Sequence, residues 1–256
     1  MTATKLSISS VGKNFGAVRA LDRVDLDIAP GEFVTLIGPS GCGKSTLFNM
    51  LAGLLEPDAG GTILLDGKPG KLLGRTAFMP QRDLLLPWRN VLDNALLPCE
   101  IEGLPRAETR ARAEKMAVDF GLRGFEKHFP QQLSGGMRQR VALMRTFMFE
   151  RDLMLLDEPF GALDALTRSM MQRWLLDIWA RYRRTIIFIT HDIDEAIFLA
   201  DRVVVMSARP GRIKLDRRIE LPRPRDAHLL TAPEFTAIKR ELLDAVEEES
   251  LKSFSA

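Results

Sequence analysis

The feature that most constrains this chain is a glycine-rich segment of eight residues, GPSGCGKS at positions 38–45. It fits the pattern G-x-x-x-x-G-K-[ST], follows the apolar run GEFVTLIG at positions 31–38, and leads into a helical pattern that begins at Lys44. A loop between a strand and a helix can wrap around a phosphate with its backbone amides only where glycines leave room, because a Cβ atom would block the approach. The sequence therefore predicts a phosphate-binding loop at the end of a strand.

The residue types in this segment indicate a nucleotide as the ligand. The ammonium group of Lys44 is expected to reach the β and γ phosphates, and the hydroxyl of Ser45 to ligate Mg²⁺. The N-terminus of the following helix adds partial positive charge. The residues predicted to bind the nucleotide here are Gly38, Pro39, Ser40, Gly41, Cys42, Gly43, Lys44, Ser45 and Thr46.

The composition excludes several classes of protein. Of the 256 residues, 46% are hydrophobic and 27% are charged, which is typical of a globular protein and not of a disordered or fibrous one. The 36 basic and 34 acidic residues leave a net charge of +2, too small for a protein that binds nucleic acid mainly by neutralising phosphates.

Nothing in the sequence predicts secretion or a membrane span. The N-terminus lacks an apolar signal segment, and no apolar run approaches the roughly 20 residues needed to cross a bilayer as a helix. The two cysteines, Cys42 and Cys99, have no recognisable motif spacing. We therefore expect a chain that works in a reducing cytoplasm and reaches a membrane only through a partner.

Two further apolar runs are predicted to be buried strands. Residues 152–156 lead into Asp157 and Glu158, and residues 185–190 lead into His191. Strands of this kind, separated by helical stretches, are typical of a mainly parallel sheet, in which ligands collect at the C-terminal ends of the strands. We expect the glycine loop, the acidic pair and the histidine to lie together at that edge.

The pattern changes in the middle of the chain. Strand-like runs are missing between residues 82 and 150, and helices are predicted over residues 106–120 and 134–149. A further helical pattern follows residue 224. This predicts an α/β core of residues 1–81 and 150–224, an inserted helical subdomain of residues 82–149, and a C-terminal helical extension of residues 225–256 that packs on the surface.

Residues 133–140, LSGGMRQR, closely resemble the signature sequence of ATP-binding-cassette (ABC) ATPases. Residues 153–157 with Glu158 resemble that family's Walker B strand and catalytic glutamate. Gln81, the segment ALD at positions 162–164 and His191 match its Q-loop, D-loop and switch histidine, all in the family's order. The resemblance covers nearly the whole chain, and it implies a P-loop NTPase core of mainly parallel sheet with antiparallel N-terminal strands, an inserted helical subdomain, and ATP and Mg²⁺ as ligands.

The resemblance also implies roles for single residues. Phosphoryl transfer to water depends on positioning and charge stabilisation, so it needs a cation cradle, a metal and a group that orients water. Asp157, Ser45 and Gln81 would hold Mg²⁺. Glu158 would orient or deprotonate the attacking water, with His191, Gln81 and Lys44 as the other catalytic residues. Phe15 matches the aromatic residue that stacks on adenine, although a single phenylalanine is more often part of a core.

Ser134, Gly135 and Gly136 form a second glycine-containing helix start and thus a second natural anion site. In the family, two subunits pack head to tail, and the signature of one caps the γ phosphate bound by the other. The expected partner is therefore a second copy of this chain. Met137 stands where many members have glutamine. The resemblance therefore implies contacts from the backbone of the signature to the nucleotide, but no side-chain contact from position 137.

An apolar stretch at positions 84–88, LLLPW, is larger than a loop normally exposes. It is either a small core beneath the helical subdomain or a docking site for a helix of a membrane subunit. With residues 207–213 and 221–225, it resembles the nitrate, sulfonate, taurine and bicarbonate branch of bacterial importers. This implies an ATPase subunit at the cytoplasmic face of the inner membrane, bound to permease subunits and indirectly to a solute-binding protein, with a small anionic or sulfonate-like solute as cargo.

Two other functions fit the phosphate loop less well. A soluble cassette ATPase that acts on nucleic acid would need long coiled-coil insertions or two cassettes in one chain, and this sequence has one cassette and no sustained heptads. A small-molecule kinase would leave residues 133–140 without a role. We expect no nucleic-acid partner, and the nucleic-acid ATPase is the alternative.

Overall fold

The computed structural model describes residues 4–254, and within this range the chain forms nine strands and seven α-helices. The strands are β1 (Leu6–Phe15), β2 (Val18–Ile28), β3 (Phe33–Ile37), β4 (Thr62–Leu65), β5 (Ala77–Met79), β6 (Leu153–Asp157), β7 (Thr185–Ile189), β8 (Arg202–Met206) and β9 (Ile213–Arg218). The helices are α1 (Lys44–Leu51), α2 (Val91–Ile101), α3 (Arg106–Asp119), α4 (Gly135–Met148), α5 (Ala165–Tyr182), α6 (Ile193–Leu199) and α7 (Pro233–Phe254).

A six-stranded sheet with the order β5-β6-β7-β3-β8-β9 runs through the centre. Its first five strands are parallel, and β9 pairs antiparallel with β8 at one edge. Every residue of β3 and β7 is buried, and alternate residues of each strand belong to two apolar cores, one on each face. Burial on both faces explains why these strands are near-continuous apolar runs in the sequence. The predicted strands before Gly38, Asp157 and His191 are confirmed.

A second sheet, antiparallel and of three strands, has the order β2-β1-β4. Its inward-facing residues, among them Leu6, Ile8 and Leu26, join β3 and α1 in the second of the two cores. The outward residues of β2 alternate with them and face solvent, as is usual for an antiparallel sheet with one covered face. The mainly parallel core with antiparallel N-terminal strands is therefore confirmed.

The chain between β5 and β6 is helical. Two of its three helices, α3 and α4, lie where helical patterns were expected, and α4 begins directly after Ser134. The pattern at positions 91–101 is interrupted by Pro98, yet α2 forms there and packs against α3 and α4. Asn90 caps its N-terminus by accepting a hydrogen bond from the amide of Asp93. Edge-to-face contacts of Phe120 with Phe147 (5.5 Å between centroids) and Trp174 (5.0 Å) join these helices to α5. The domain boundaries at 81/82 and 149/150 remain a prediction.

Helix α7 packs on the surface of the α/β core, against α6 and β8. Phe235, Ile238 and Leu242 are buried in that contact, and the opposite face is polar. No helix in the part of the chain between residues 4 and 254 is both long and apolar enough to cross a membrane.

Candidate active site

The glycine loop leaves β3 at Gly38 and enters α1 at Lys44. Gly38 has a φ of 153° and Gly43 a φ of 105°. A Cβ atom on Gly38 would lie 2.8 Å from the backbone oxygen of Met206, and one on Gly43 would lie 2.6 Å from Cδ2 of Leu21. Glycine is required at both positions, because the loop packs directly against β8 and β2.

Two sources of positive charge lie at this loop, the N-terminus of α1 and the ammonium group of Lys44. Helix α1 has no side-chain cap and no acidic residue in its first turn, so its first N–H groups are available to an anion. The ammonium group of Lys44 donates hydrogen bonds to the carbonyl oxygens of Gly38 (2.7 Å) and Pro39 (3.0 Å). Cys42 is buried, and its amide donates to the carbonyl of Pro39 within the loop at 3.4 Å. The arrangement is that of a preformed anion cradle.

A cleft of about 300 Å³ opens beside the loop. Phe15, at the end of β1, stands in its wall with 49% of its surface exposed, so it is not a core residue. The structure thus brings Phe15 together with the glycine loop. The residues that line the cleft are Phe15, Val18, Ala20, Gly41, Cys42, Gly43, Lys44, Ser45, Thr46 and Arg209. Sequence reasoning missed Arg209, because the turn that carries it bears no phosphate-binding pattern.

Three of the predicted catalytic residues meet at one carboxylate oxygen. The Nε2 amide of Gln81 donates to Oε2 of Glu158 at 2.9 Å, and Nδ1 of His191 lies 3.3 Å from the same oxygen. Gln81 follows β5, Glu158 follows β6 and His191 follows β7, and these three strands are neighbours in the sheet. The expectation that the acidic pair and His191 lie at the same edge of the sheet agrees with this contact, and Gln81, which only the family resemblance singled out, joins them there.

The backbone holds Glu158 in place. Its φ of 45° lies in the left-handed region, which costs a residue with a side chain about 1 kcal/mol or more. Its amide donates to the carbonyl of Ile189 at 3.0 Å, so the turn after β6 is tied to the end of β7. The backbone of Gly161 lies close by, since a Cβ atom at that position would be 3.6 Å from Oε2 of Glu158.

Asp157 has the properties expected of a cation ligand. Burial first, and then the charge of Glu158, raise the pKa of Asp157 to about 6, although Lys44 opposes the shift. Its carboxylate makes no hydrogen bond or ion pair with any residue of the range 4–254. A half-buried carboxylate that lacks a donor and faces a like charge is stabilised by a cation.

The donor set also fits Mg²⁺. No cluster of three His, Cys, Asp or Glu side chains between residues 4 and 254 could hold a metal by itself. Mg²⁺ is usually held by one or two protein oxygens, with phosphate oxygens and water completing its shell. The hydroxyl of Ser45, the amide oxygen of Gln81 and the carboxylate of Asp157 suit that mode of binding.

Ser134, Gly135 and Gly136 form the start of α4, as expected. The hydroxyl of Ser134 accepts a hydrogen bond from the amide of Met137 at 3.3 Å, and the first turn has no acidic residue. A Cβ atom on Gly136 would lie 3.2 Å from Cγ2 of Thr167, near the start of α5. The side chain of Met137 packs against the core. Ser134, Gly135 and Gly136 do not line the cleft beside the chain's own phosphate loop.

Comparisons with known proteins agree with this site. The family described as "ABC transporter" matches residues 21–161, more than half of the chain. The aliphatic sulfonates import ATP-binding protein SsuB of Ralstonia nicotianae is 46% identical over 246 residues, which cover 95% of this chain and 82% of SsuB. The taurine import ATP-binding protein TauB of Rhizobium johnstonii is 45% identical over 231 residues, which cover 88% of each chain.

Two solved structures share the fold. The cbiO1 protein of Clostridium perfringens, part of the ABC transporter complex cbiONQ, is 27% identical with a TM-score of 0.79 over 94% of this chain and 95% of cbiO1. A dimeric ATP-binding cassette in a post-hydrolysis state, bound to ADP and phosphate, is 29% identical with a TM-score of 0.73 over 85% of this chain and 100% of the cassette. The phosphate loop, the carboxylates after β6 and the signature helix thus belong to an ABC ATPase, and this chain is a member of the ABC transporter family of ATP-binding subunits.

Proposed function

We propose that this chain is the ATP-hydrolysing subunit of a bacterial importer, that it works as a head-to-tail dimer, and that it drives uptake of a small anionic or sulfonate-like solute through a separate membrane permease. The observation that carries the proposal is the convergence of Gln81 and His191 on Glu158, beside a phosphate loop and a carboxylate suited to a cation. It supports a site for hydrolysis and not only for nucleotide binding.

The hydrolytic roles follow from the contacts. Lys44 and the first turn of α1 hold the β and γ phosphates, while Ser45, Gln81 and Asp157 hold Mg²⁺. When bound, Mg²⁺ neutralises charge that develops on the phosphate oxygens. Oε2 of Glu158 accepts a hydrogen bond from Gln81 and lies 3.3 Å from Nδ1 of His191. Oε1 makes no hydrogen bond with any residue between 4 and 254. Oε1 is therefore the atom that orients the attacking water and accepts its proton.

The proposed dimer places a second anion site, at the start of the partner's α4, against the γ phosphate. The start of α4 is an anion site formed by Ser134, Gly135 and Gly136, yet these residues do not line the chain's own nucleotide cleft. A second copy in head-to-tail orientation would bring its Ser134 to the γ phosphate, so that two ATP molecules lie between the subunits. The dimeric cassette structure similar to this chain supports such an arrangement.

Residues 84–88, which we call the docking segment, suit the permease contact. Leu85 is buried in the core, as the alternative of a small core requires, but Trp88 and Leu84 expose 70% and 58% of their surfaces, and a small core does not account for these two. Arg145 of α4 donates to the carbonyl oxygens of Leu84 (2.8 Å) and Asp83 (2.5 Å). Burial lowers the pKa of Arg145, which Asp83 partly offsets. The docking segment is therefore tied to the signature helix on one side and, through Gln81, to Glu158 on the other.

The cargo class rests on the relatives. SsuB and TauB are import ATP-binding proteins for aliphatic sulfonates and taurine, and both align with nearly all of this chain. A chain that binds permease subunits from the cytoplasmic side of the inner membrane contacts the cargo only indirectly, through the permease and a solute-binding protein. The sulfonate-like class is therefore an inference from similarity and not from a pocket in this chain.

Uptake measurements test the proposal. Cells that lack this chain are complemented with the wild type, with Glu158→Gln, or with the exposed control Glu247→Gln, and the uptake of labelled taurine, an alkanesulfonate and nitrate is measured. We expect uptake of one of these anions with the wild type and the control, and none with Glu158→Gln. If all three anions enter equally without the chain, and DNA or RNA stimulates phosphate release by the purified protein, the nucleic-acid ATPase replaces the importer.

A further inference from the structure

The turn between β8 and β9, residues 207–212, brings an arginine to the nucleotide cleft that neither the motifs nor the family resemblance assigns a role. Arg209 is exposed at the tip of this turn and lines the cleft with Phe15 and Val18. Its guanidinium makes no ion pair or hydrogen bond with any side chain or backbone group between residues 4 and 254. An unpaired guanidinium in the wall of a ligand cleft is free to contact the ligand.

The turn itself is held rigidly. The amide of Ser207 donates to the carbonyl of Arg212 at 2.9 Å, and the amide of Arg212 donates to the hydroxyl of Ser207 at 3.0 Å. The single hydrogen of the same hydroxyl is within donating distance of the carbonyl oxygens of Ala208 (2.9 Å) and Pro210 (3.2 Å). These bonds close the turn on both sides of Arg209, so its Cα position is fixed relative to β8.

The phosphate loop and β2 anchor the turn from one side. A Cβ atom on Gly211 would lie 2.0 Å from the carbonyl oxygen of Cys42, so the backbone of the turn touches the phosphate loop and tolerates only glycine there. The amide of Gly211 donates to the carbonyl of Ala20 at 2.9 Å, and the amide of Asp22 donates to the carbonyl of Gly211 at 3.0 Å. Asp22 also pairs with Arg212.

Helix α7 anchors the turn from the other side. The carboxylate of Glu249, which is only 4% exposed, accepts a hydrogen bond from the amide of Ala208 at 2.8 Å. It also pairs with Lys214 of β9 (2.8 Å) and with Lys252 (2.7 Å). Ala208 is the residue next to Arg209, so Glu249 fixes the backbone from which the arginine extends.

We propose that Arg209 contacts the adenosine end of the bound nucleotide and that Glu249 of α7 is its positioning residue. The inference rests on the proposed use of this cleft for ATP. Phe15 and Val18 give the cleft an apolar wall that suits the base, and a planar guanidinium stacks on aromatic rings. The phosphates already have Lys44 and the first turn of α1. The C-terminal helix thereby sets nucleotide affinity, although it contains no residue that touches the nucleotide.

Calorimetry separates the two ends of the nucleotide. Binding of Mg-ATP and of inorganic tripolyphosphate is measured for the wild type, Arg209→Ala, and Arg218→Ala, which removes an exposed arginine of the same hairpin. We expect Arg209→Ala to weaken ATP binding by about three- to tenfold, in the range of stacking contacts of this kind, and to leave tripolyphosphate binding unchanged. The proposal is overturned if Arg209→Ala and Arg218→Ala bind Mg-ATP with the same affinity. It is also overturned if Arg209→Ala loses as much affinity for tripolyphosphate as for ATP.

A Lys44→Ala variant in the same series distinguishes a failure of the proposed ATP site from a failure of the role of Arg209 alone. If Lys44→Ala binds Mg-ATP as the wild type does, the proposed use of the cleft is wrong. If Lys44→Ala loses affinity and Arg209→Ala does not, only the role of Arg209 is wrong.

A double-mutant cycle tests Glu249. We expect Glu249→Ala to weaken ATP binding in the wild-type background and to have no further effect in the Arg209→Ala background. Glu248→Ala is the matched control, because Glu248 pairs with Lys214 and Lys252 but does not bond to Ala208. A loss that persists in the Arg209→Ala background, or an equal loss in Glu248→Ala, overturns the positioning role. If Glu249→Ala fails to fold, Glu249→Met replaces it in the same cycle, because methionine fills a similar volume but has no oxygen to accept the hydrogen bond from Ala208.

Discussion

The amide nitrogen of Gln81 and the carboxylate of Glu158 are joined by a hydrogen bond of 2.9 Å, although the two residues are 77 positions apart in the sequence. The bond spans the ends of β5 and β6. It fixes one oxygen of Glu158 and leaves the other available for the role in water activation proposed above. It also connects that carboxylate to the docking segment that follows Gln81. A change in the docking segment that moves Gln81 would therefore release Glu158.

The first prediction concerns Glu158 itself. Glu158→Gln keeps the shape of the side chain but removes the group that accepts a proton from water, so phosphate release should fall by about 10²–10⁴-fold, as for the loss of a general base. ATP affinity, measured by calorimetry, should remain within about threefold of the wild type, because Lys44 and the loop are unchanged. Turnover of the variant at the wild-type rate would show that another group activates water.

The second prediction concerns acid stability. Burial would raise the pKa of Glu249, but hydrogen bonds from Lys214, Lys252 and the amide of Ala208 lower it from its ordinary value of 4.5 to about 2. The folded state therefore binds the proton more weakly than the unfolded state. The stabilisation is fully present above about pH 4.5 and is lost as the pH falls toward 2, by up to about 3 kcal/mol.

Denaturant titrations between pH 2 and pH 6 measure this effect. The free energy of unfolding of the wild type should fall more steeply between pH 4.5 and pH 2 than that of Glu249→Gln, which has no carboxyl group to titrate at this position. Glu247→Gln, an exposed change on the same helix, should follow the wild type. Parallel curves for wild type and Glu249→Gln would mean that the three hydrogen bonds do not stabilise the ionised form.

The sequence was sufficient for those parts of the site that depend on local patterns. The glycine loop, the strands before Asp157 and His191, and the helix that starts after Ser134 each follow from a short motif with its flanking periodicity. The proximity of Glu158 and His191 also followed, because parallel strands end at one edge of the sheet, whereas Gln81 was singled out only by the family resemblance.

The remaining features depend on contacts between distant segments. Arg209 lines the nucleotide cleft because the carbonyl of Cys42 packs against Gly211, and no periodicity marks a pair of residues so far apart. Helix α2 forms despite Pro98, since packing against α3 and α4 outweighs the local preference. Glu249 belongs to an acidic run at positions 247–249, and the local pattern does not show that this residue alone is buried, where it pairs with Lys214 and Lys252.

The third prediction concerns the docking segment. Trp88→Ala should weaken association with the membrane permease by tenfold or more, because large aromatic residues are frequent hot spots in interfaces. ATP binding by the isolated chain should not change, since Trp88 does not line the nucleotide cleft. Leu230→Ala, at another exposed apolar residue, is the control. The measurement is recovery of the complex from membranes that contain the cognate permease, together with solute uptake; full recovery with Trp88→Ala would place the permease contact elsewhere.

The last prediction tests the dimer. In Glu158→Gln with ATP, light scattering should show accumulation of a dimer, because the lost carboxylate both stops hydrolysis and removes negative charge beside the γ phosphate. Adding Ser134→Arg should abolish the dimer, since the long side chain would fill the space in which the partner's γ phosphate meets the start of α4. Ser134→Ala is the matched control: it removes the same N-cap hydrogen bond, at a cost of about 1 kcal/mol, without adding bulk. The control should still dimerise. A dimer that forms equally with Ser134→Arg would mean that the signature of one subunit does not meet the nucleotide of the other, and that the surface at which the copies associate must be a different one.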